Sequence, residues 1–421
     1  MNTQQMLSST VWWHVFPLGA CGAPVRDFDP ASAPVARLPR LEPWLDYIIQ
    51  LGANGLLLGP VFASVSHGYD TLDHFRLDPR LGTNADLERL VALANQKGIH
   101  VMLDGVFNHV SREHPRVEEL GLRNADGTLH SWEGHGELIT LDHSKPEVRE
   151  LVVEAMKFWL QRGIAGWRLD VAYAVPTDFW REVLGEVRSA YPDVLFLGEV
   201  IHGDYADFVE QSTVDTLTQY ELWKSIQSSI QSANFWELDW NLQRHAQFVE
   251  HFVPNTFIGN HDVTRIANEL GEEGAILAAA ILLTLPGMPS IYYGDEQGFR
   301  GEKLSGFSSD DQLRPPLPPA PENLSELGKH IENIYRGLIG VRRQHPWIAN
   351  GILEVLDKDN PRITYRVAER ASRSAISVAV EVEPFYRVTV TDETTGAVLF
   401  GWKGTQPRGG AIDGEAQNTG N

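Results

Sequence analysis

Cysteine is almost absent from this 421-residue chain: Cys21 stands by itself. An intrachain disulfide is excluded, and so is a zinc site built on two or more thiolates. Long apolar runs are missing too. The most hydrophobic late stretch, Ala275 to Leu285, falls well short of the 18 or so residues that a membrane span needs. Met1 to Ser9 has neither a basic start nor an apolar stretch, so no secretory leader is expected. Positive charge is scarce: 35 Lys and Arg face 56 Asp and Glu, a formal charge of −21. An acidic surface of that size repels phosphate backbones, which sets nucleic acid aside as a partner. A reduced, soluble, cytoplasmic protein with no membrane attachment is expected.

What is present is apolar and aromatic. Hydrophobic residues make up 43% and charged residues 22%, with 12 Trp and 11 Tyr, so a large core can be buried. At about 150 residues per domain the length predicts two or three domains. Eight short runs are apolar on both faces: Val11–Pro17, Gly55–Val61, His100–Phe107, Gly166–Val171, Val194–Val200, Asp215–Tyr220, Thr256–Gly259 and Ser290–Tyr293. Parallel strands covered on both sides read this way. Amphipathic segments lie between them. Asn84 is placed to cap one helix, and Ser144 with Glu147 to form a capping box on another. A last amphipathic stretch runs from Asn323 to Arg343.

Strand–helix repeated eight times predicts a closed (β/α)8 barrel, an α/β fold, over residues 1–110 and 143–345. Residues 111–142, rich in Gly, His and Glu, make a short excursion subdomain after the third strand. Beyond Pro346 the pattern changes to period two: Ile376, Val378, Val380 and Val382 alternate with Ser377, Ala379 and Glu381. A small antiparallel β domain is expected over 346–402, and a disordered tail over 403–421.

Barrel chemistry sits at the C-terminal ends of the strands. The third run closes in Asp104 and is followed by Asn108-His109; the fourth closes in Arg168-Leu-Asp170, the fifth in Glu199, the seventh in Asn260-His261-Asp262. The loop after the second carries His67-Gly-Tyr69-Asp70. A lone Asp at a strand end is usually a cap. So many on one rim need a functional reason, because like charges in one cleft repel. Arg168 and Asp170 are two apart, hence on one face of a strand, where the guanidinium can hold the carboxylate ionised. Glu199 closes an apolar run whose low dielectric favours a protonated acid. Two carboxyls with different neighbours suit glycoside cleavage by a nucleophile and an acid/base.

The segments Asp104–His109 (DGVFNH), Gly166–Asp170 (GWRLD), Gly198–Val200 (GEV) and Asn260–Asp262 (NHD) resemble the four sequence regions of the α-amylase family of retaining α-glucan hydrolases, in order and spacing. The resemblance covers roughly residues 10 to 345. It includes Asp78-Pro-Arg80 and Ile291-Tyr-Tyr-Gly-Asp295-Glu296, and is greatest to the neopullulanase and cyclomaltodextrinase branch. It implies Asp170 as nucleophile, Glu199 as general acid/base, and Asp262 as the group gripping the sugar's C2 and C3 hydroxyls. Arg168 would orient Asp170, His109 and His261 would bond sugar hydroxyls, Tyr69 would stack beneath the ring with His67 nearby, and Asp104 would support the site from behind.

Departures from the family pattern matter as well. Asn108 matches a calcium ligand of many members, but the usual His four residues after the nucleophile is Ala174 here, so neither calcium nor another cofactor is expected. Tyr173 replaces a Lys that contacts the leaving sugar. Trp132, Trp236 and Trp240 are candidate outer sugar platforms or core residues, and Arg314 orders a loop. The implied activity is hydrolysis of maltodextrins or related short α-glucans by double displacement. A transglycosylase on the same fold is the alternative, and a non-catalytic sugar-binding relative a distant third. The branch dimerises through an extra N-terminal domain; this chain starts almost at its first strand, so a monomer is favoured.

Overall fold

Each of the eight apolar runs overlaps a parallel strand in the computed structural model, which describes residues 1–26, 28–306 and 309–408, although the seventh run, Thr256–Gly259, does so by Thr256 alone. These are β1 (Trp12–Val15), β2 (Gly55–Leu58), β3 (His100–Gly105), β4 (Gly166–Leu169), β5 (Leu195–Gly198), β6 (Thr216–Leu217), β7 (Asn255–Thr256) and β8 (Met288–Tyr292). They pair in the order β6-β5-β4-β3-β2-β1-β8-β7. A single parallel bridge between Thr218 and Asn255 brings β6 to β7 and closes the cylinder.

Strand periodicity sorts each run into an inner and an outer set. Trp12, Leu57, Met102, Leu195, Leu197 and Met288 form one buried cluster inside the barrel. The residues between them, such as Trp13, Leu56, Leu103 and Phe196, join the larger outer core under the helices. Two residues beyond Trp12, Met102 and Leu197, on the same inward face, stand His14, Asp104 and Glu199. An apolar floor thus turns into a polar mouth through strand geometry. Pairing sets the levels: Asp104 lies beside Arg168, and Arg168 beside Leu197. Gly166 is needed for this approach, since a Cβ there would sit 2.3 Å from the Leu195 carbonyl oxygen.

Below the floor lies an element that hydropathy did not reveal. Thr3–Ser9 is a helix capped by Asn2, whose side chain accepts from the Gln5 amide while Gln5 reaches back. Met6 and Leu7 seal the interior cluster from beneath. Two other helix starts differ from expectation. The helix Asn84–Gln96 is capped by Thr83 with Asp86, because Asn84 spends its amide on the Leu77 N–H and the Phe75 carbonyl. The helix Pro146–Leu160 starts on proline, and the Ser144 hydroxyl donates to Asp142 at 2.6 Å instead of forming a box. The last barrel helix is Lys329–Gln344, shorter than the predicted stretch.

The excursion is ordered around a hairpin that pairs His109–Ser111 with Leu138–Thr140, with Leu120, Ile139 and Leu141 buried. The C-terminal sheet has five antiparallel strands in sequence order: β9 (Ile352–Asp359), β10 (Arg362–Ala368), β11 (Ala375–Glu381), β12 (Phe385–Asp392) and β13 (Val398–Pro407). Its predicted end at residue 402 is corrected. β13 runs five residues further, with Lys403 paired to Arg387 and the Thr405 N–H donating to Glu273 at 2.7 Å. Pairing uses backbone groups, so a polar, Gly-containing strand gives no apolar signal. The rest of the expected tail, from residue 409, lies outside the described residues. Among the described residues no helix is long and apolar enough to cross a membrane.

Candidate active site

Arg168 is the hub of the barrel mouth. Its Nη1 donates to both oxygens of Asp104 at 2.7 and 2.6 Å and to Asp170 Oδ1 at 3.1 Å. Its Nη2 pairs with Glu199 Oε1 at 2.7 Å. All four side chains are buried. The other oxygen of Glu199 accepts the Val171 N–H at 3.0 Å. Val171 holds a left-handed backbone, φ +49°, a costly conformation for a β-branched residue. It follows the end of β4 and turns the chain into the short helix Ala172–Ala174 that carries Tyr173.

One guanidinium cannot neutralise three carboxylates. Burial pushes Asp170 well above the ordinary carboxylate range; the charges of Glu199, Asp104 and Asp262 add to this, and Arg168 opposes it. Asp104 is raised for the same first reason, although Arg168 grips it hardest. Arg168 meets Asp170 as the spacing predicts, but its charge is divided among three carboxyls and Asp170 receives the longest contact.

Asp262 lies on the opposite side. Its carboxylate meets His261 Nε2 at 3.0 Å and Arg314 Nη2 at 3.2 Å. Burial disfavours its charge, but His261, Arg314 and Arg168 outweigh this and hold it below the usual range. Its side chain stays 36% exposed. His261 stacks on the ring of Tyr69, centroids 5.5 Å apart, and its Nε2 bonds the Tyr69 hydroxyl. That hydroxyl also donates to Asp104 Oδ2 at 3.1 Å. His109 stacks against Trp132 at 6.2 Å, and burial pulls it down to about 4. His67 is lowered by burial as well. Both rings are thus neutral near pH 7, each with one donor and one acceptor nitrogen.

Of the residues given a sugar-binding or catalytic role from the sequence, the indoles Trp236 and Trp240 lie away from this mouth. Those are exposed on a helix against β9, and Trp236 Nε1 donates to Asn360 at 2.9 Å. Tyr173 is exposed, with its hydroxyl raised to about 12 by burial and by Glu133, Glu199 and Asp170. A cleft of about 1220 Å³ opens beside the cluster, lined among others by His67, Tyr69, Asp70, Glu137, Asp262 and Arg314. Typical small-ligand pockets hold about 300–1,000 Å³, so this one exceeds that range.

The loop carrying His67 to Asp70 is anchored by a fully buried pair. Arg80 donates through Nε and Nη2 to Asp78 at 2.8 and 2.7 Å, and Nη1 reaches the Ser66 carbonyl. Asp78 also accepts the Ser64 hydroxyl at 2.9 Å. Replacing Arg80 by Met strands a buried carboxylate and is expected to cost about 3–5 kcal/mol in urea unfolding.

The α-amylase catalytic-domain model matches residues 41–133 and 125–332. This chain belongs to the α-amylase family. A maltogenic alpha-amylase from Bacillus acidopullulyticus is 30% identical over 390 residues, covering 82% of this chain and 64% of that protein. A cyclomaltodextrinase from Geobacillus thermopakistaniensis is 28% identical over 400 residues, covering 84% and 65%. These names fit the neopullulanase and cyclomaltodextrinase branch that the motifs resemble. The chain spans less than two thirds of the length of these curated relatives. A cyclic alpha-maltosyl-(1→6)-maltose hydrolase from Arthrobacter globiformis shares the fold, with a TM-score of 0.77 at 24% identity over 96% of this chain and 99% of that one.

Within this α-amylase-family site, sequence reasoning missed three contributors. His14, buried below the mouth, packs edge-on to His261 at 5.3 Å. Phe16 stacks on His261 at 5.6 Å and lies under the Arg314 guanidinium at 4.1 Å. Tyr220 donates to Glu199 Oε1 at 3.0 Å. Arg314 was given only a loop-ordering role, yet it touches Asp262 directly.

Proposed function

We propose that the protein hydrolyses α-glucosidic bonds of maltodextrins or related short α-glucans with retention of configuration. The observation that carries this is the sharing of one guanidinium by Asp170 and Glu199. It keeps the two carboxyls at short range, in keeping with the separation of about 5–5.5 Å that double displacement needs. The names of the relatives support the substrate class.

In this reading Asp170 Oδ2, the oxygen not held by Arg168, attacks C1. Glu199 protonates the departing oxygen and then takes a proton from water. Positive charge developing on the sugar is stabilised by the cluster's excess negative charge. Asp262, ionised and partly exposed, accepts hydrogen bonds from ring hydroxyls, and His109 and His261 add others. Tyr69 offers a face to the sugar, Asp104 fixes Arg168, and Tyr173 stands at the leaving-group side. No metal enters the reading. Calcium takes six to eight oxygens, and the donor set does not fit it. Asn108 Oδ1 is buried and unpaired, but Asp142 is taken by Ser144, the Phe107 carbonyl by His143, and position 174 is Ala. A free, buried Cys21 and short-glucan chemistry support a cytoplasmic enzyme.

Maltotriose followed by ¹H NMR tests the proposal. The first product is expected as the α-anomer, before mutarotation. A β-anomer overturns retention, and products formed only when a sugar acceptor is added overturn hydrolysis in favour of transfer.

A further inference from the structure

Glu199 has two oxygens in different surroundings, and the difference assigns them different tasks. Oε1 receives the Tyr220 hydroxyl at 3.0 Å and the Arg168 Nη2 at 2.7 Å. Among the described residues Oε2 receives a single donor, the Val171 N–H at 3.0 Å. The Tyr220 hydroxyl is itself oriented. Asn260 Nδ2 donates into its oxygen at 2.8 Å, while Asn260 Oδ1 accepts the Asp262 N–H at 2.9 Å. With a donor pointing at it, the hydroxyl turns its own hydrogen to Glu199. The ring cannot swing away: Phe257 packs edge-on at 4.8 Å and Trp223 at 6.0 Å.

We propose that Tyr220 is a positioning residue for the acid/base carboxyl: together with Arg168 it occupies Glu199 Oε1, so the transferred proton travels on Oε2. The inference rests on the hydrolytic reading above and adds to it which oxygen works and what holds it. In the first half-reaction the Oε2 proton passes to the glycosidic oxygen as the C1–O bond breaks and C1 bonds to Asp170. In the second, Oε2 takes a proton from water as the water oxygen bonds to C1 and the ester bond breaks. Proton count and charge balance over the cycle, and Oε1 stays occupied throughout. The relay also ties the acid to Asp262, because one amide side chain, Asn260, serves both.

Tyr220→Phe removes one hydroxyl and keeps the ring. It is tested on two substrates that differ in their need for an acid: maltotriose, whose leaving sugar must be protonated, and α-maltosyl fluoride, whose fluoride leaves without that help. The expected result is a loss of about tenfold or more in kcat/KM on maltotriose, with the fluoride within about threefold of the parent and the melting temperature unchanged within a few degrees. A Glu199→Gln control is expected to show the same imbalance more steeply. Equal losses on both substrates, or none on either, overturn the assignment, since a packing role does not distinguish leaving groups. Parent protein that turns over neither substrate overturns the hydrolytic reading itself, and the inference with it.

Discussion

Replacing Asp170 by Asn is expected to lower turnover of maltotriose by about 10⁴-fold or more while leaving the protein folded. The amide is nearly the same size and can keep a contact to Arg168, but it cannot form the glycosyl ester. Stability is expected to move the other way. The folded site raises the proton affinity of Asp170 above that of an unfolded carboxyl. Stability linked to this group is therefore complete at low pH and is lost as pH climbs from about 4 toward the raised folded value. Asn carries no charge to strand. D170N should match the parent's melting temperature near pH 4 and exceed it above neutral pH. Thermal scans across that range decide the matter: a variant less stable than the parent at pH 8 would show that Asp170 is not held against its charge.

Arg168→Met is the complementary experiment and the more destructive one. Among the described residues Arg168 is the one cation in direct contact with Asp104, Asp170 and Glu199. Leaving buried carboxylates without it is expected to cost about 3–5 kcal/mol. The deficit should be larger at pH 8 than at pH 5, because protons replace the missing cation as pH falls, and urea midpoints at the two values measure it. An equal deficit at both would mean that the guanidinium acts by packing. Lys is not expected to restore the parent, since a single ammonium cannot span three carboxyls as a planar fork does.

Much of this was legible in the chain, for identifiable reasons. Strands buried on both faces appear as short apolar runs, and a polar residue near the C-terminal end of such a run on the inward-facing register stands at the mouth. Asp104, Asp170 and Glu199 could be found that way. Tyr220, at the end of the sixth run, Asp215–Tyr220, stands four residues beyond Thr216 on the same face of the chain, but its aromatic ring hid its polar end. His14 was hidden differently, enclosed within an apolar run as a buried imidazole. The contact of Arg314 with Asp262 joins residues 52 apart in sequence, and no local pattern records such a meeting. The division of Arg168 among three carboxylates was beyond reach too. Spacing showed that it could meet Asp170, but the stronger claims of Asp104 and Glu199 come from neighbouring strands.

Val171 ties together Asp170 and Glu199, the two carboxyls that the proposed reaction uses. Its amide follows Asp170 by one peptide unit and donates to Glu199 Oε2, so the backbone that carries one carboxyl also holds an oxygen of the other, like the jaws of a caliper on a common slide. Access to the bond between substrate rings is then gauged by backbone rather than by independent rotamers. A left-handed valine, unfavourable for folding, keeps that gauge from drifting.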